Sequence, residues 1–231
     1  MEHIFETGGE NALASVLGRL RRRFGAEAAR RKALLLDCVA LFDEAEIGVG
    51  PDGWAALRGV VGGRAISVSL MSESIAWRRL PQLWLTVTLA CDLPVGGVLD
   101  IVRRSANVEF YSPAADLPLR LSVPPQWPQD TLIKGRGDGA AQTLSRLAEP
   151  LAGLLSDPRV KEMLVTPRGA RLVYRLREGA RGAYLLLRQS RFDLERLAPE
   201  ELSALIRSLA QIVDCLLVLP APERIAEAHA L

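Results

Sequence analysis

The sequence is poor in the residues that most often carry metal binding, nucleophilic catalysis and base stacking. Its 231 residues include two histidines, three cysteines and only 5% aromatic residues. His3 and His229 lie near the two ends, while Cys38, Cys91 and Cys215 stand far apart and form no CxxC pair. This scarcity argues against a Cys/His metal site, against a serine hydrolase with a histidine base and against single-stranded nucleic-acid binding through stacked aromatics. We expect no metal and no cofactor.

A strong excess of charge and a long apolar run are missing as well. The chain carries 29 basic and 27 acidic residues, and a net charge of +2 creates no field that would imply a polyanionic partner such as a specific nucleic acid. The longest apolar run, near Leu83 to Cys91, is about half of the ~20 residues that a membrane helix needs. The first residues lack the apolar segment of a secretory signal. These observations predict a soluble protein.

Two compositional biases indicate where the protein resides. Arginine makes up all but three of the basic residues beside abundant alanine, leucine and glycine, which is typical of a G/C-rich genome. The three cysteines are odd in number and lie among apolar neighbours, as buried thiols in a reducing compartment do. We therefore expect a cytoplasmic protein in a bacterial-type cell.

Helical periodicity marks the first forty-odd residues. Apolar side chains recur on one helical face at Leu13, Val16, Leu17, Leu20 and Phe24, and on a second stripe at Leu35, Cys38, Val39 and Phe42. The second stripe ends in the acidic run Asp43 to Glu46, which is typical of a turn before the Gly50-Pro51-Asp52-Gly53 loop. Residues 1–48 are accordingly predicted to form an N-terminal helical arm.

From Trp54 onward the apolar period changes to two. Apolar and polar residues alternate in two stretches, at Ile66, Val68 and Leu70 and then at Leu83, Leu85, Val87 and Leu89. Gly62-Gly63 is a hairpin signal between a short strand near Trp54 and the first of these stretches. Because each strand has one apolar and one polar face, the pattern favours an antiparallel sheet.

The second half of the chain repeats the combination of hairpin and helix. A helix is predicted from about Ala140, with Pro150 splitting it, and Arg168-Gly169 turns another hairpin. The last helix begins at Pro199 and buries Leu202, Leu205, Ile206, Leu209, Val213 and Leu216. The fold class is therefore α+β, with an antiparallel sheet and long helices packed on one face over residues 49–231. The similar hairpins predict two lobes, residues 49–160 and 161–219.

A glycine-rich loop is the most motif-like stretch of the sequence. It contains Lys134, Gly135, Arg136, Gly137 and Gly139 between a short strand and a helix, and glycine amides at a helix N-terminus suit phosphate. The context lacks a clear parallel βαβ crossover, an acidic residue some ~20 positions later and the Gly-Lys-[Ser/Thr] ending of a P-loop. An anion site and a loop without a ligand both stay open.

A basic cluster is the second candidate site. Its members are Arg19, Arg22, Arg23, Arg30 and Arg31, and on a helix they give a basic amphipathic segment. Such a segment binds an acidic protein, lies on an anionic membrane as a peripheral protein, contacts nucleic-acid phosphate, or only solvates the helix.

The sequence favours a non-enzyme because no histidine lies in the interior and no pair of carboxylates is marked as an acid and a base. The function predicted first is a protein-interaction module (an adaptor, a chaperone-like protein or a scaffold subunit) with a protein partner or a homo-oligomer. The alternatives are a nucleotide- or phosphate-binding protein using Lys134–Gly139, and peripheral membrane association through the basic helix.

Overall fold

Nine strands and several helices make up the described part of the chain. The structure is a computed structural model, and it describes residues 25–73, 80–103, 111–180 and 192–218. The strands are β1 (Glu44–Val49), β2 (Ala55–Val61), β3 (Arg64–Glu73), β4 (Gln82–Ala90), β5 (Val98–Arg103), β6 (Leu119–Leu121), β7 (Thr131–Arg136), β8 (Val160–Thr166) and β9 (Gly169–Glu178). The α-helices are α1 (25–33), α2 (Ala140–Leu147), α3 (Pro150–Ser156) and α4 (Pro199–Leu217). Short 3-10 helices occupy Leu36–Leu41 and Pro113–Asp116.

The strands form an antiparallel sheet in the order β1-β2-β3-β4-β9-β8-β5-β7-β6. The predicted α+β class and the predicted antiparallel sheet are thereby confirmed. The hairpin at Gly62-Gly63 is also confirmed, since both glycines have a positive φ and join β2 to β3 in a two-residue turn. Pro150 begins α3 directly after α2, so the predicted split of that helix is confirmed as well.

The chain divides into two compact units. The first comprises residues 1–85 and 176–203, and the second comprises residues 86–175 and 204–231. The predicted arm over residues 1–48 and the lobes 49–160 and 161–219 stay predictions. One local expectation was wrong, because the acidic run at Asp43–Glu46 does not form a turn. Glu44–Val49 is a strand, held by antiparallel pairing with β2 from Glu44↔Val60 to Val49↔Ala55.

The first unit buries an apolar face of β2 and β3 beneath the segment that follows α1. Leu57 and Val68 are cross-strand partners on that face, and Leu35 and Cys38 from the covering segment are likewise buried. The backbone amide of Leu197 donates to the Leu34 carbonyl at 2.9 Å and ties the two segments together. The same face of the sheet extends onto β1, where Ile47 is the register partner of Leu57.

The second unit packs helices against strands β5, β7 and β8. Helix α2 contacts β5 and β7, and α3 contacts β8. Leu147, Leu151 and Leu155 from the two helices are fully buried, as are Ile101 and Met163 from the strands. Residues at odd positions of β5 therefore belong to the helix-covered core, and the even positions point to the opposite face.

Candidate functional site

A buried group of charged side chains lies on that opposite face of the second unit. Asp100 on β5 is the register partner of Leu164, and Val102 is the partner of Glu162 on β8, so the two acids are diagonal neighbours on one face. Both are 0% exposed. Arg171 on β9 pairs in register with Leu164 and so reaches the same face. Strand register thus brings together residues that are far apart in sequence.

Arg171 binds Glu162 through two parallel hydrogen bonds. Its Nε donates to Glu162 Oε2 at 2.9 Å and its NH2 group donates to Oε1 at 2.8 Å, a bidentate geometry typical of strong arginine–carboxylate pairs. The same NH2 group donates to the carbonyl oxygen of Tyr111 at 2.8 Å. Ser112 Oγ donates to Asp100 Oδ2 at 2.6 Å. The buried group therefore fixes the start of the segment formed by residues 111–118.

Burial raises the pKa of both carboxyls. Desolvation raises the pKa of Asp100 to about 6, although the Ser112 hydroxyl and the Arg171 guanidinium act to lower it. Desolvation likewise raises the pKa of Glu162 to about 7, with Arg171 lowering it and the Asp100 charge raising it. The two carboxyls also share a side-chain hydrogen bond, which lowers the pKa of Asp100 and raises the pKa of Glu162. Two buried acids beside one guanidinium hold a shared proton near neutral pH, and this proton belongs to the pair.

A carboxyl pair that holds one proton is the arrangement that acid–base enzymes use, but here it is closed to a substrate. Both side chains are fully buried, Ser112 donates a hydrogen bond to Asp100, and the Tyr111 carbonyl oxygen accepts one from the neighbouring Arg171. What the arrangement does in this structure is anchor the 111–118 segment to the sheet. No group of three or more histidine, cysteine or acidic side chains in the described ranges is placed to hold a metal ion.

The two cations of the predicted anion loop are directed to the same segment. Lys134 Nζ donates to the Leu117 carbonyl oxygen at 2.9 Å, and the Arg136 NH2 group donates to the Asp116 carbonyl oxygen at 2.8 Å. Lys134 is also the register partner of Asp100. Both side chains are therefore engaged by backbone oxygens, and the anion site at this loop stays a prediction.

The glycines of that loop allow the backbone at Gly96 to pack closely against it. A Cβ on Gly139 would stand 2.7 Å from Gly96 Cα, and a Cβ on Gly137 would stand 2.5 Å from the Gly96 oxygen. Gly137 has φ +88°, a conformation that favours glycine, and the Gly139 amide donates to the Gly96 carbonyl at 3.3 Å. Close approach of two chain segments accounts for glycine at these positions.

The basic cluster is only partly within the described residues, since Arg19, Arg22 and Arg23 lie outside them. Arg30 donates to the carbonyl oxygens of Phe192 and Leu194 at 2.8 and 3.1 Å. Arg31 pairs with Glu27 at 3.4 Å and stacks over the ring of Trp54 at 4.8 Å. In the first unit these two arginines hold α1 in place, and partner binding by the cluster stays a prediction.

An exposed apolar groove in the first unit is the second candidate site. It has a volume of about 480 Å³ and lies between α1 and β1. The groove is lined by Ala29, Lys32, Ala33, Leu36, Ile47, Gly48 and Val49. We call this groove together with strand β1 the β1 surface. Ile47 is 39% exposed and Val49 is 48% exposed, on the same face as the buried Leu57 of β2. The apolar face of the first unit thus continues to its edge without a cover among the described residues.

Sequence reasoning missed both candidate sites. The signal for the buried group was present, since Asp100 and Glu162 each lie among apolar residues in a strand, and a charge in such a place needs partners. For the β1 surface the signal was masked by the acidic residues and glycines around Ile47, which are typical of turns.

No protein-family model matches the chain, and no curated protein matches it. Among solved structures the chain is similar to the crystal structure of the mycobacterial trehalose monomycolate transport factor A, TtfA, with a TM-score of 0.44 and 13% sequence identity. The match covers 76% of this chain and 81% of that one. A likeness at this level does not carry a function from that protein to this chain. No helix of the described residues has both the length and the apolar character to span a membrane.

Proposed function

We propose that the protein is a non-catalytic interaction module of the adaptor or scaffold type, and that it binds its partner through the β1 surface. The observation that carries the proposal is the end of the apolar face that the described residues leave uncovered. Contiguous exposed apolar side chains mark interaction sites, and Leu36, Ile47 and Val49, which line one groove, stay 45%, 39% and 48% exposed.

The backbone of β1 supports the same proposal. It is the terminal strand of the sheet that the described residues form, and all six of its residues are exposed. One edge of a terminal strand presents unpaired N–H and C=O groups, which form hydrogen bonds with an added strand. An open strand edge and an apolar groove at the same place offer a partner both main-chain hydrogen bonds and apolar contact.

The test compares the wild type with Ile47→Arg and with a matched control, Leu119→Arg. Leu119 is 41% exposed on β6, the terminal strand at the other end of the strand order. Tagged forms of all three are used for affinity capture from the native host, and any protein that depends on Ile47 is then purified. Calorimetric titration of that protein is expected to show binding at least about 10-fold weaker for Ile47→Arg, because a charge replaces an apolar contact. Equal affinity of both variants would refute the proposal.

A further inference from the structure

We propose that the partner at the β1 surface is a second copy of this chain, joined by antiparallel pairing of β1 with β1 around a two-fold axis at Ile47. This inference rests on the proposed function, since it names the occupant of that surface. It follows from the order of residues in β1, from their exposure and from the charges beside them.

The sequence of β1 is complementary to itself in one register. When Ile47 lies opposite Ile47 of the second copy, Ala45 lies opposite Val49 and Glu46 lies opposite Gly48. Residues 45, 47 and 49 share one face of the strand, so the apolar face continues across the axis. The glutamate is placed against a glycine, which avoids the direct opposition of like charges.

Other registers either lose this agreement or pair less of the strand, as does a register centred on Gly48, which keeps Ile47 opposite Val49 but pairs only residues 47–49 of the strand with one another. A shift that places Glu46 opposite Ile47 brings the acidic face of one strand next to the apolar face of the other, because side chains alternate with period two. A register centred on Glu46 places two glutamates directly opposite each other, which is destabilising. The register centred on Ile47 pairs all residues from 45 to 49 with one another. It places apolar residues opposite apolar residues on one face and Glu46 opposite Gly48 on the other.

The acidic residues of β1 restrict which strands can pair with it, and a second copy fits where its own glutamates are offset along the strand. Charged residues on an edge strand discourage pairing with other chains, and β1 carries Glu44 and Glu46 in its first half. Glu46 lies directly across from Arg58 of β2 in its own chain. The positive charge of Arg58 offsets the repulsion between the two Glu46 side chains, which are diagonal neighbours in the dimer. Directly opposite each Glu46 lies Gly48 of the other copy, which leaves room for the glutamate side chain.

The groove is consistent with the same two-fold arrangement. Its floor contains Ile47 and Val49, and its wall on α1 contains the small side chains of Ala29 and Ala33. Pairing at Ile47 brings the two floors side by side, so that each copy extends the apolar floor of the other. An isologous contact of this kind closes after two copies and leaves no open strand edge at this position.

The first test is the mass in solution, measured by sedimentation equilibrium over a wide range of concentration for the full chain. We expect a dimer for the wild type and for Leu119→Arg. Ile47→Arg is expected to raise the dimer dissociation constant by about 100-fold or more, because the two-fold axis places the new charge twice in the apolar contact. Circular dichroism and thermal unfolding establish that each variant is folded.

The second test determines the register by disulfide trapping in a Cys215→Ser background, since Cys215 is exposed. Residues directly opposite each other in an antiparallel pair have Cα atoms about 4.5–5.5 Å apart, within the range that a disulfide spans. Ile47→Cys is therefore expected to form a covalent dimer under mild oxidation. Val49→Cys is the matched control, because four residues separate it from its own copy across the axis, roughly 13 Å.

The outcomes separate this inference from the proposed function. A monomer at every concentration overturns the dimer, including the case in which another part of the same chain covers the β1 surface. If that monomer binds a different protein in an Ile47-dependent way, the proposed function stands and only the second copy is refuted. A dimer that Ile47→Arg does not weaken, or one trapped through Val49 and not through Ile47, also refutes the inference.

Discussion

Replacing Asp100 by asparagine should stabilise the protein at neutral and alkaline pH. The asparagine has the size of the protonated acid, and its side-chain oxygen still accepts the hydrogen bond that Ser112 donates at 2.6 Å. It carries no charge at any pH, so Glu162 keeps the Arg171 guanidinium without a second buried anion beside it. The substitution therefore removes the cost of ionising Asp100 in a fully buried position.

The size of the effect follows from the pKa of Asp100. Burial raises this pKa from 3.8 to about 6 in the folded protein. The folded state therefore binds the proton more tightly than the unfolded state, and the free energy of unfolding of the wild type falls as the pH rises through this interval. At 1.36 kcal/mol for each pH unit, ionising Asp100 costs the folded protein about 3 kcal/mol above pH ~7.

The assay is urea unfolding of the wild type and of Asp100→Asn from about pH 4 to about pH 8. The two proteins should be nearly equal in stability at the acid end, and the variant should gain about 2–3 kcal/mol over the wild type by the alkaline end. Asp92→Asn is the matched control, since Asp92 is exposed in the same unit. A difference in unfolding free energy that stays constant with pH, or that favours the wild type as the pH rises, would show that the buried pair does not hold a proton.

Three further substitutions or modifications test other parts of the structure. Gly59→Ala should lower stability by about 1–3 kcal/mol in thermal unfolding, because its Cβ would stand 1.7 Å from the backbone oxygen of Glu44, and Gly48→Ala, with no atom within 4 Å, should be nearly neutral. The reverse order of the two variants would contradict the pairing of β1 with β2. Burial, with the nearby acids, raises the pKa of Cys38 to about 11, so iodoacetamide should modify the exposed Cys215 in the folded protein and Cys38 only after unfolding. Peptide mass spectrometry checks this order, and rapid labelling of Cys38 in native buffer would contradict its burial.

Strands and helices with a regular apolar period could be predicted from the sequence. The alternation at Ile66, Val68 and Leu70 lies in β3, where all three side chains are buried. The apolar face predicted for the last helix is also buried, from Leu202 to Leu216. In these elements the local pattern and the three-dimensional packing agree, so a window of a few residues contains enough information.

Strand β1 could not be predicted because its local signals favour a turn. Acidic residues and glycine are depleted in strands, and the segment around Ile47 contains both. What makes it a strand is pairing with β2, and Gly59 of that strand permits the close approach, since any Cβ there would meet the backbone at Glu44. This information belongs to another part of the chain and is invisible to a local pattern.

The buried charged group was missed for a related reason. Asp100, Glu162 and Arg171 are brought together by the register of three strands, and the sequence alone did not provide the strand order. The glycine-rich loop was recognised, but its spacing is ambiguous, because a backbone that approaches a phosphate and one that approaches another backbone both require glycine. In this protein Gly96 lies against Gly137 and Gly139.

Comparing how the two units use their polar and apolar groups indicates where binding is to be sought. In the second unit, the charged side chains on the same face of the sheet as Asp100 bind one another or the backbone of residues 111–118. Lys134, for example, donates a hydrogen bond to the Leu117 carbonyl oxygen. A new ligand there would have to replace hydrogen bonds that already exist, which costs free energy. At the β1 surface, by contrast, a partner displaces water from Ile47 and Val49, which releases free energy. Binding at the apolar edge, which no residue in the described part of the chain covers, is therefore favoured over binding at the charged face, although the charged face contains the residues that resemble a reactive site.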